Sequence, residues 1–209
     1  TSDSLVIWIT SWAGELRKST DYGATFKRVV LPPDDLSFIT PSGGPYTFRL
    51  DPNDPSSNGN DNHKGFSVTA ENDSTIYVGT AGGGIWKTTN AGASFKPIFE
   101  KYCQSIGALA INQKNPKVIY AGTGESNMRN SVSIGVGLYK STDGGENWNK
   151  IGLDSTEHIS KIVIDPQNDS VIYVSAPGPL WSDGKHRGLY KSTDAGKTWA
   201  KILYINEKT

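Results

Sequence analysis

The sequence predicts an all-β fold, and three observations carry that prediction: a turn-rich composition, short β-branched and aromatic segments, and a repeat with four extended segments per unit. The 209 residues include 23 Gly and 11 Pro, aromatic residues make up 10%, and Met occurs once. No Leu/Ala/Glu-rich stretch is long enough for a packed helix, so the balance favours strands joined by many turns. The longest apolar run, Leu5 to Ile9, is far short of the roughly 20 residues that a membrane-spanning helix needs.

Charge and cysteine content narrow the function classes. Lys and Arg together number 21, Asp and Glu together 21, and the formal charge is zero. Nucleic acid and anionic membranes are bound through a basic excess, so neither is an expected partner, and no membrane insertion is expected. Cys103 is the single cysteine, which excludes an internal disulfide and a cysteine-cluster metal site. The chain begins at Thr1 without an apolar leader and is expected to be processed, trimmed or excerpted. The missing leader therefore says nothing about export.

An octapeptide organises the chain. It reads Ser19-Thr-Asp21-Tyr-Gly23-Ala-Thr-Phe26, Thr88-Thr-Asn90-Ala-Gly92-Ala-Ser-Phe95, Ser141-Thr-Asp143-Gly-Gly145-Glu-Asn-Trp148 and Ser192-Thr-Asp194-Ala-Gly196-Lys-Thr-Trp199. The pattern is Ser/Thr-x-Asp/Asn-x-Gly-x-x-aromatic. At Asp21, Asn90, Asp143 and Asp194 a short polar side chain can accept turn amides, the Gly supplies a positive φ, and the aromatic residue buries. These roles are structural.

The flanks repeat as well. Strands rich in β-branched and aromatic residues precede each box: Val6-Ile-Trp-Ile-Thr10, Ile76-Tyr-Val-Gly-Thr80, Val118-Ile-Tyr-Ala-Gly-Thr123 and Val171-Ile-Tyr-Val-Ser175. A shorter segment ending in Lys18, Lys87, Lys140 or Lys191 leads directly into the box. Another follows it, as in Lys27-Arg-Val-Val30 and Ala200-Lys-Ile-Leu203. A further strand opens three repeats: Gly65 to Ala70, Ile106 to Ile111 and Ile159 to Ile164. Four antiparallel strands in roughly 50 residues is the arithmetic of a β-propeller blade. Calling the strands A (innermost) to D (outermost), the box lies on the C–D hairpin.

The expected organisation is one module over 1–209: blade 1 at 1–32, an inserted loop at 33–64, blade 2 at 65–104, blade 3 at 105–158 and blade 4 at 159–209. Blade 1 lacks its innermost strand. An open propeller exposes strand edges and an apolar blade face, so the chain is expected to belong to a larger propeller or to be completed by another chain or copy. A closed four-blade propeller is the alternative. Within the insertion, Tyr46-Thr-Phe-Arg-Leu-Asp-Pro52 echoes an A strand, but no B strand follows it. Asp51, Asp54 and Asp61 lie in an oxygen-rich stretch that could hold calcium, although the spacing matches no known calcium loop and such stretches also serve as solvated turns. No other cofactor is expected.

The pattern resembles the Asp-box, or BNR, repeat family, which includes sialidases, xyloglucan-active glycoside hydrolases, sortilin-type receptor domains and photosystem assembly factors. The stretch from Ser105 to Tyr204 is most similar to bacterial exported proteins described as sortilin N-terminal or BNR-repeat glycosyl hydrolases. The residues concerned are Tyr120-Ala-Gly-Thr-Gly-Glu125, Arg129-Asn-Ser-Val-Ser-Ile-Gly135 and Ile164-Asp-Pro166. This resemblance implies a propeller fold, an extracellular or periplasmic location, and a carbohydrate or protein ligand.

Loop lengths point to a ligand face. A–B and C–D turns share one face of a propeller, and B–C and D–A loops the other. The B–C connections of the third and fourth repeats are longer than those of the first two by 10 and 8 residues. Loops held on a rigid scaffold are where binding resides. They bring Glu125, Asn127, Arg129, Asn130, Trp181, Asp183, His186 and Arg187 to that face, with Trp12, Glu15, Tyr102, Glu157 and His158 from shorter loops. Trp with carboxylates and Arg suits a sugar, by stacking and hydrogen bonding, and equally a peptide. The plainer alternatives are that Trp181 caps a small core inside its loop and that Arg129 pairs with Glu125.

Catalysis has weaker support. Glycoside hydrolysis needs two placed carboxyls, and Glu125 and Asp183 are the acidic residues of the two long insertions. Resemblance to the xyloglucan-active enzymes implies a catalytic Asp in a Thr-Asp-x-Gly-Gly setting after strand B. The corresponding stretch is Thr80-Ala81-Gly82-Gly83-Gly84, with Ala81 at the carboxylate position. A sialidase needs an Arg cluster, whereas this chain has five Arg in all, and the nearest echo of the sialidase motif, Phe48-Arg-Leu-Asp51, follows the first box instead of preceding it. The sequence reading is a non-catalytic binding or interaction module, with a xyloglucanase-like hydrolase whose carboxylates lie partly outside this chain as the rival.

Overall fold

The computed structural model describes residues 7–10, 16–20, 24–29, 37–39, 45–47, 66–72, 74–127 and 132–208. They form antiparallel sheets in strict chain order. The first holds β1 (Ile7–Thr10), β2 (Leu16–Ser19) and β3 (Lys27–Val29). Three four-stranded sheets follow a small hairpin. They are β6 (Phe66–Ala70), β7 (Ile76–Thr80), β8 (Ile85–Thr88) and β9 (Lys96–Pro97); β10 (Ile106–Ile111), β11 (Ile119–Thr123), β12 (Leu138–Ser141) and β13 (Asn149–Lys150); and β14 (Lys161–Ile164), β15 (Ile172–Ala176), β16 (Gly188–Ser192) and β17 (Ala200–Leu203). Consecutive sheets touch through their first strands, β6 against β10 and β10 against β14. That row of inner strands is the hub of a propeller. Among the described residues there is no α-helix, and one 3-10 turn spans Asp154–Thr156.

The small hairpin lies within the stretch 33–64 that the sequence sets apart as an insertion. The Tyr46 segment does not become an inner strand. Instead β5 (Pro45–Thr47) pairs antiparallel with β4 (Ser37–Ile39) as a separate two-stranded sheet. An A strand is defined by the B strand beside it, and a local hairpin partner occupies that edge here.

The core lies between sheets. Tyr77, Ile85, Phe99, Ile106, Leu109, Ile111, Ile119, Tyr139 and Trp148 fill the junction of the second and third sheets. Ala108, Tyr120, Leu138, Ile159, Ile162, Ile172 and Val174 fill the next one. Strand β10 serves both. Its register shifts between Ile106 and Ala108, a bulge that inserts Gly107 and reverses side-chain parity. Ile106, Leu109 and Ile111 can therefore all face the second sheet while Ala108 faces the fourth.

Three boxes repeat one hydrogen-bonded turn. Asp143 accepts the Ser141 hydroxyl at 2.7 Å, the Asn147 backbone N–H at 2.9 Å and the Asn147 amide at 2.8 Å. Asp194 accepts the Ser192 hydroxyl, the Thr198 N–H and the Thr198 hydroxyl in the same way. Asn90 accepts the Thr88 hydroxyl and the Ser94 N–H. The Asn147 and Ser141 donors hold the Asp143 carboxyl down at about 2, and the Thr198 and Ser192 donors hold Asp194 lower still. Asp21 of the first box lies outside the described residues.

The boxes also join the sheets. The Tyr77 hydroxyl and the Lys87 ammonium both donate to the Gly144 carbonyl, at 3.2 and 2.8 Å. At the following junction Tyr120 and Lys140 donate to the Ala195 carbonyl, at 3.3 and 3.0 Å. Each acceptor is the residue between the Asp and the Gly of the next box. The box Trp returns the bond: Trp148 Nε1 donates to the Ile98 carbonyl at 3.2 Å, and Trp199 Nε1 to the Ile151 carbonyl at 2.9 Å. The box Gly is required twice over. Gly145 has φ +91°, and a Cβ there would come within 2.6 Å of Ile98 Cδ1.

Candidate functional site

The long β11–β12 connection is held at its base by one hydroxyl. Thr123 Oγ1 donates to the Gly137 carbonyl at 2.6 Å and accepts the Val136 N–H at 2.8 Å, so the two ends of the loop leave the sheet together. Gly124, at φ +86°, then lets the Glu157 carbonyl approach to within 1.9 Å of where a Cβ would stand. Glu125 follows directly. Its N–H is shared between the Ser105 hydroxyl at 2.9 Å and the Ser133 carbonyl at 3.2 Å, and the residue is 1% exposed.

Glu125 lines a cavity of about 270 Å³ between the inner strands β6, β10 and β14. Its polar lining is Ser67, Glu125, Ser126, Asn127, Ser160 and Lys161. Two of these hydroxyls also serve the frame: Ser67 Oγ accepts the Leu109 N–H at 2.7 Å, and Ser160 donates to the Ser175 carbonyl at 3.2 Å. Lys161, on β14, has no carboxylate partner among the described residues. One carboxylate, one ammonium, one amide and three hydroxyls around a space of this size form a set that can hydrogen-bond a polyol.

The β15–β16 connection is built differently. The Arg187 guanidinium donates to the carbonyls of Pro177, Pro179, Ser182 and Glu207. It is the loop's internal fastener, and it anchors the segment after β17 to the loop as well. Around that fastener Trp181 stands 71% exposed, so it does not cap a small core within the loop. Asp183 and His186 are exposed nearby. Both loops follow the second strand of their sheet and so emerge on the same face, but Asp183 does not line the Glu125 cavity. The cavity holds one carboxylate among the described residues, where glycoside hydrolysis uses two. Ala81 is buried at 1% exposure.

Behind Glu125 lies His158, at 2% exposure, bonded to the Glu125 backbone and with its Nδ1 unpartnered. Burial pushes its pKa below the usual histidine value, against the opposing pull of the Glu125 backbone bond. Tyr102 belongs to an aromatic cluster with Phe99 and Tyr139. Trp12, Arg129, Asn130, Asp51, Asp54 and Asp61 lie outside the described residues. Among the described residues no group of three or more His, Cys, Asp and Glu could hold a metal.

Sequence reasoning missed Ser67, Ser160 and Lys161, which come from the inner strands. A signal was present: Lys161 stands where β6 carries Ser67 and β10 carries Ala108, a charge at an inner-strand position that is otherwise small and uncharged.

A BNR/Asp-box repeat model matches residues 139–150, from β12 through the third box to β13. That stretch is a BNR/Asp-box repeat, set on a propeller fold. It is 28% identical to a xyloglucanase of Hypocrea jecorina over 96% of this chain and 24% of that protein. It is 23% identical to a xyloglucanase of Acetivibrio thermocellus, again over 96% of this chain and 24% of the relative. Among solved structures, the GH74 xyloglucanase from Xanthomonas campestris superposes with a TM-score of 0.62 at 20% identity, covering 95% of this chain and 28% of that one. The chain thus spans about a quarter of the length of the proteins it matches.

Proposed function

We propose that this chain is the carbohydrate-binding part of a glycoside-hydrolase-like propeller that acts outside the cytoplasm on a β-glucan of the xyloglucan type. The observation that carries the reading is the polar cavity at Glu125, with an exposed indole, Trp181, on the same face. Sugar hydroxyls bond to the cavity groups, and a sugar ring stacks its C–H face on the indole. Similarity to xyloglucanases over nearly the whole chain supports the polysaccharide class, and a polymeric substrate favours an extracellular or periplasmic location. These residues bind without cleaving: among the described residues the cavity offers one carboxylate, and Ala81 stands where the resemblance puts the catalytic one.

Titration calorimetry with xyloglucan oligosaccharides tests the proposal. Binding is expected, and Glu125→Gln and Trp181→Ala should each weaken it by about tenfold. No binding to any β-glucan would refute it. The rival hydrolase reading is favoured by the same similarity, and a reducing-sugar assay separates the two. Turnover by this chain that Glu125→Gln abolishes would make Glu125 catalytic.

A further inference from the structure

We propose that the outward face of the β14–β17 sheet is the docking site for the Asp-box hairpin of a further blade, carried by a longer polypeptide and held by the contact that already joins the other sheets. This does not depend on the carbohydrate reading. At both internal junctions, a Tyr on the second strand and a Lys on the third donate to one carbonyl of the next box. The fourth sheet carries the same donors, Tyr173 and Lys191, with the ammonium 5.4 Å from the ring centre. The corresponding distances for Lys87 over Tyr77 and Lys140 over Tyr120 are 5.4 and 5.3 Å. The pair is already set in its working geometry. Yet among the described residues no carbonyl accepts from either donor.

The apolar part of the contact is in the same state. Ile202 is the counterpart of Ile98 and Ile151, which pack against the Gly of the next box, and it is 48% exposed. Tyr173 and Leu189 are half-buried, whereas Tyr77, Tyr120, Ile85 and Leu138 at the equivalent positions are at most 1% exposed. A merely apolar cover would bury two unsatisfied donors at a cost. A box hairpin instead supplies the one carbonyl that both donors reach, and a Gly surface for Ile202. The occupant is assigned to a longer polypeptide because the relatives are about four times the length of this chain.

The test compares the 209-residue chain with the longer polypeptide, each as wild type, Tyr120→Phe and Tyr173→Phe. Tyr120→Phe removes an existing bond and should shift the unfolding equilibrium about fivefold in both. Tyr173→Phe should leave the 209-residue chain unchanged and shift the longer polypeptide about fivefold. Amine labelling gives a second readout: Lys191 should react about as slowly as Lys87 and Lys140 in the longer polypeptide, and about tenfold faster in the 209-residue chain. A silent Tyr173→Phe together with an unprotected Lys191 in the longer polypeptide overturns the proposal. So does self-association of the 209-residue chain that Tyr173→Phe abolishes, since the face would then belong to a second copy.

Discussion

The two faces of this propeller use their polar groups in opposite ways. On the box face, Asp143 and Asp194 direct their carboxylates into their own turns, and the carbonyls of Gly144 and Ala195 take donors from the neighbouring sheet. Little is left over for a ligand. On the opposite face, Glu125, Asn127 and Lys161 line a cavity of about 270 Å³, and Trp181 stands in solvent. Periodic hydrogen bonding marks the scaffold, and departure from the period marks the candidate site.

Substitutions can break that contrast from either side. The largest effect is expected at Gly145→Val, where the positive φ and the overlap with Ile98 together should cost about 3 kcal/mol in urea unfolding. Gly82→Ala, on the other face with nothing within 4 Å of the added methyl, should change stability by less than about 0.5 kcal/mol. Next comes Trp148→Phe, which removes the indole donor to Ile98 and Gly145 from a buried site and should cost about 2 kcal/mol.

Acid titration sharpens the comparison further. The Asp143 carboxyl is depressed from 3.8 to about 2, so the stability its turn contributes is complete above about pH 4 and is lost as pH falls toward 2. Asp143→Asn should flatten that limb, as the second box, with Asn90, already lacks it. His158 is also depressed, by burial, so its contribution is complete above its usual pKa of about 6.5 and declines as pH drops below it. An acid midpoint that ignores both substitutions, Asp143→Asn and His158→Phe, would count against this account. The smallest stability effect is expected for Trp181→Ala, under about 0.5 kcal/mol by thermal unfolding, despite its loss of ligand affinity.

Much of the frame was legible in the letters. The segment from Ile106 to Ile111 was expected as a strand and is one, and the boxes at Asn90, Asp143 and Asp194 form the turns their Ser/Thr-x-Asx-x-Gly spelling demands. Such features are local: a turn needs its own residues and a strand its own pattern. The candidate site was legible only in its loops. Glu125 was named as a candidate because it sits in an insertion, whereas Ser67 and Lys161 reach the same cavity from different repeats. Arg187 was expected to face a ligand but serves four backbone carbonyls of its own loop and tail. Nothing in the order of the letters tells a free guanidinium from an occupied one. The Tyr46 segment echoes an A strand in its letters, and its actual partner, Ser37–Ile39, has no counterpart in the other repeats.

The paired Tyr and Lys donors have one further consequence, which concerns inheritance. They lie upstream of the box in one period, and their acceptor lies inside the box of the next, at equivalent strand and box positions each time. A duplication one period long therefore recreates a complete seam wherever its breakpoints fall. Genes of this kind can gain or lose whole periods without inventing a new joint.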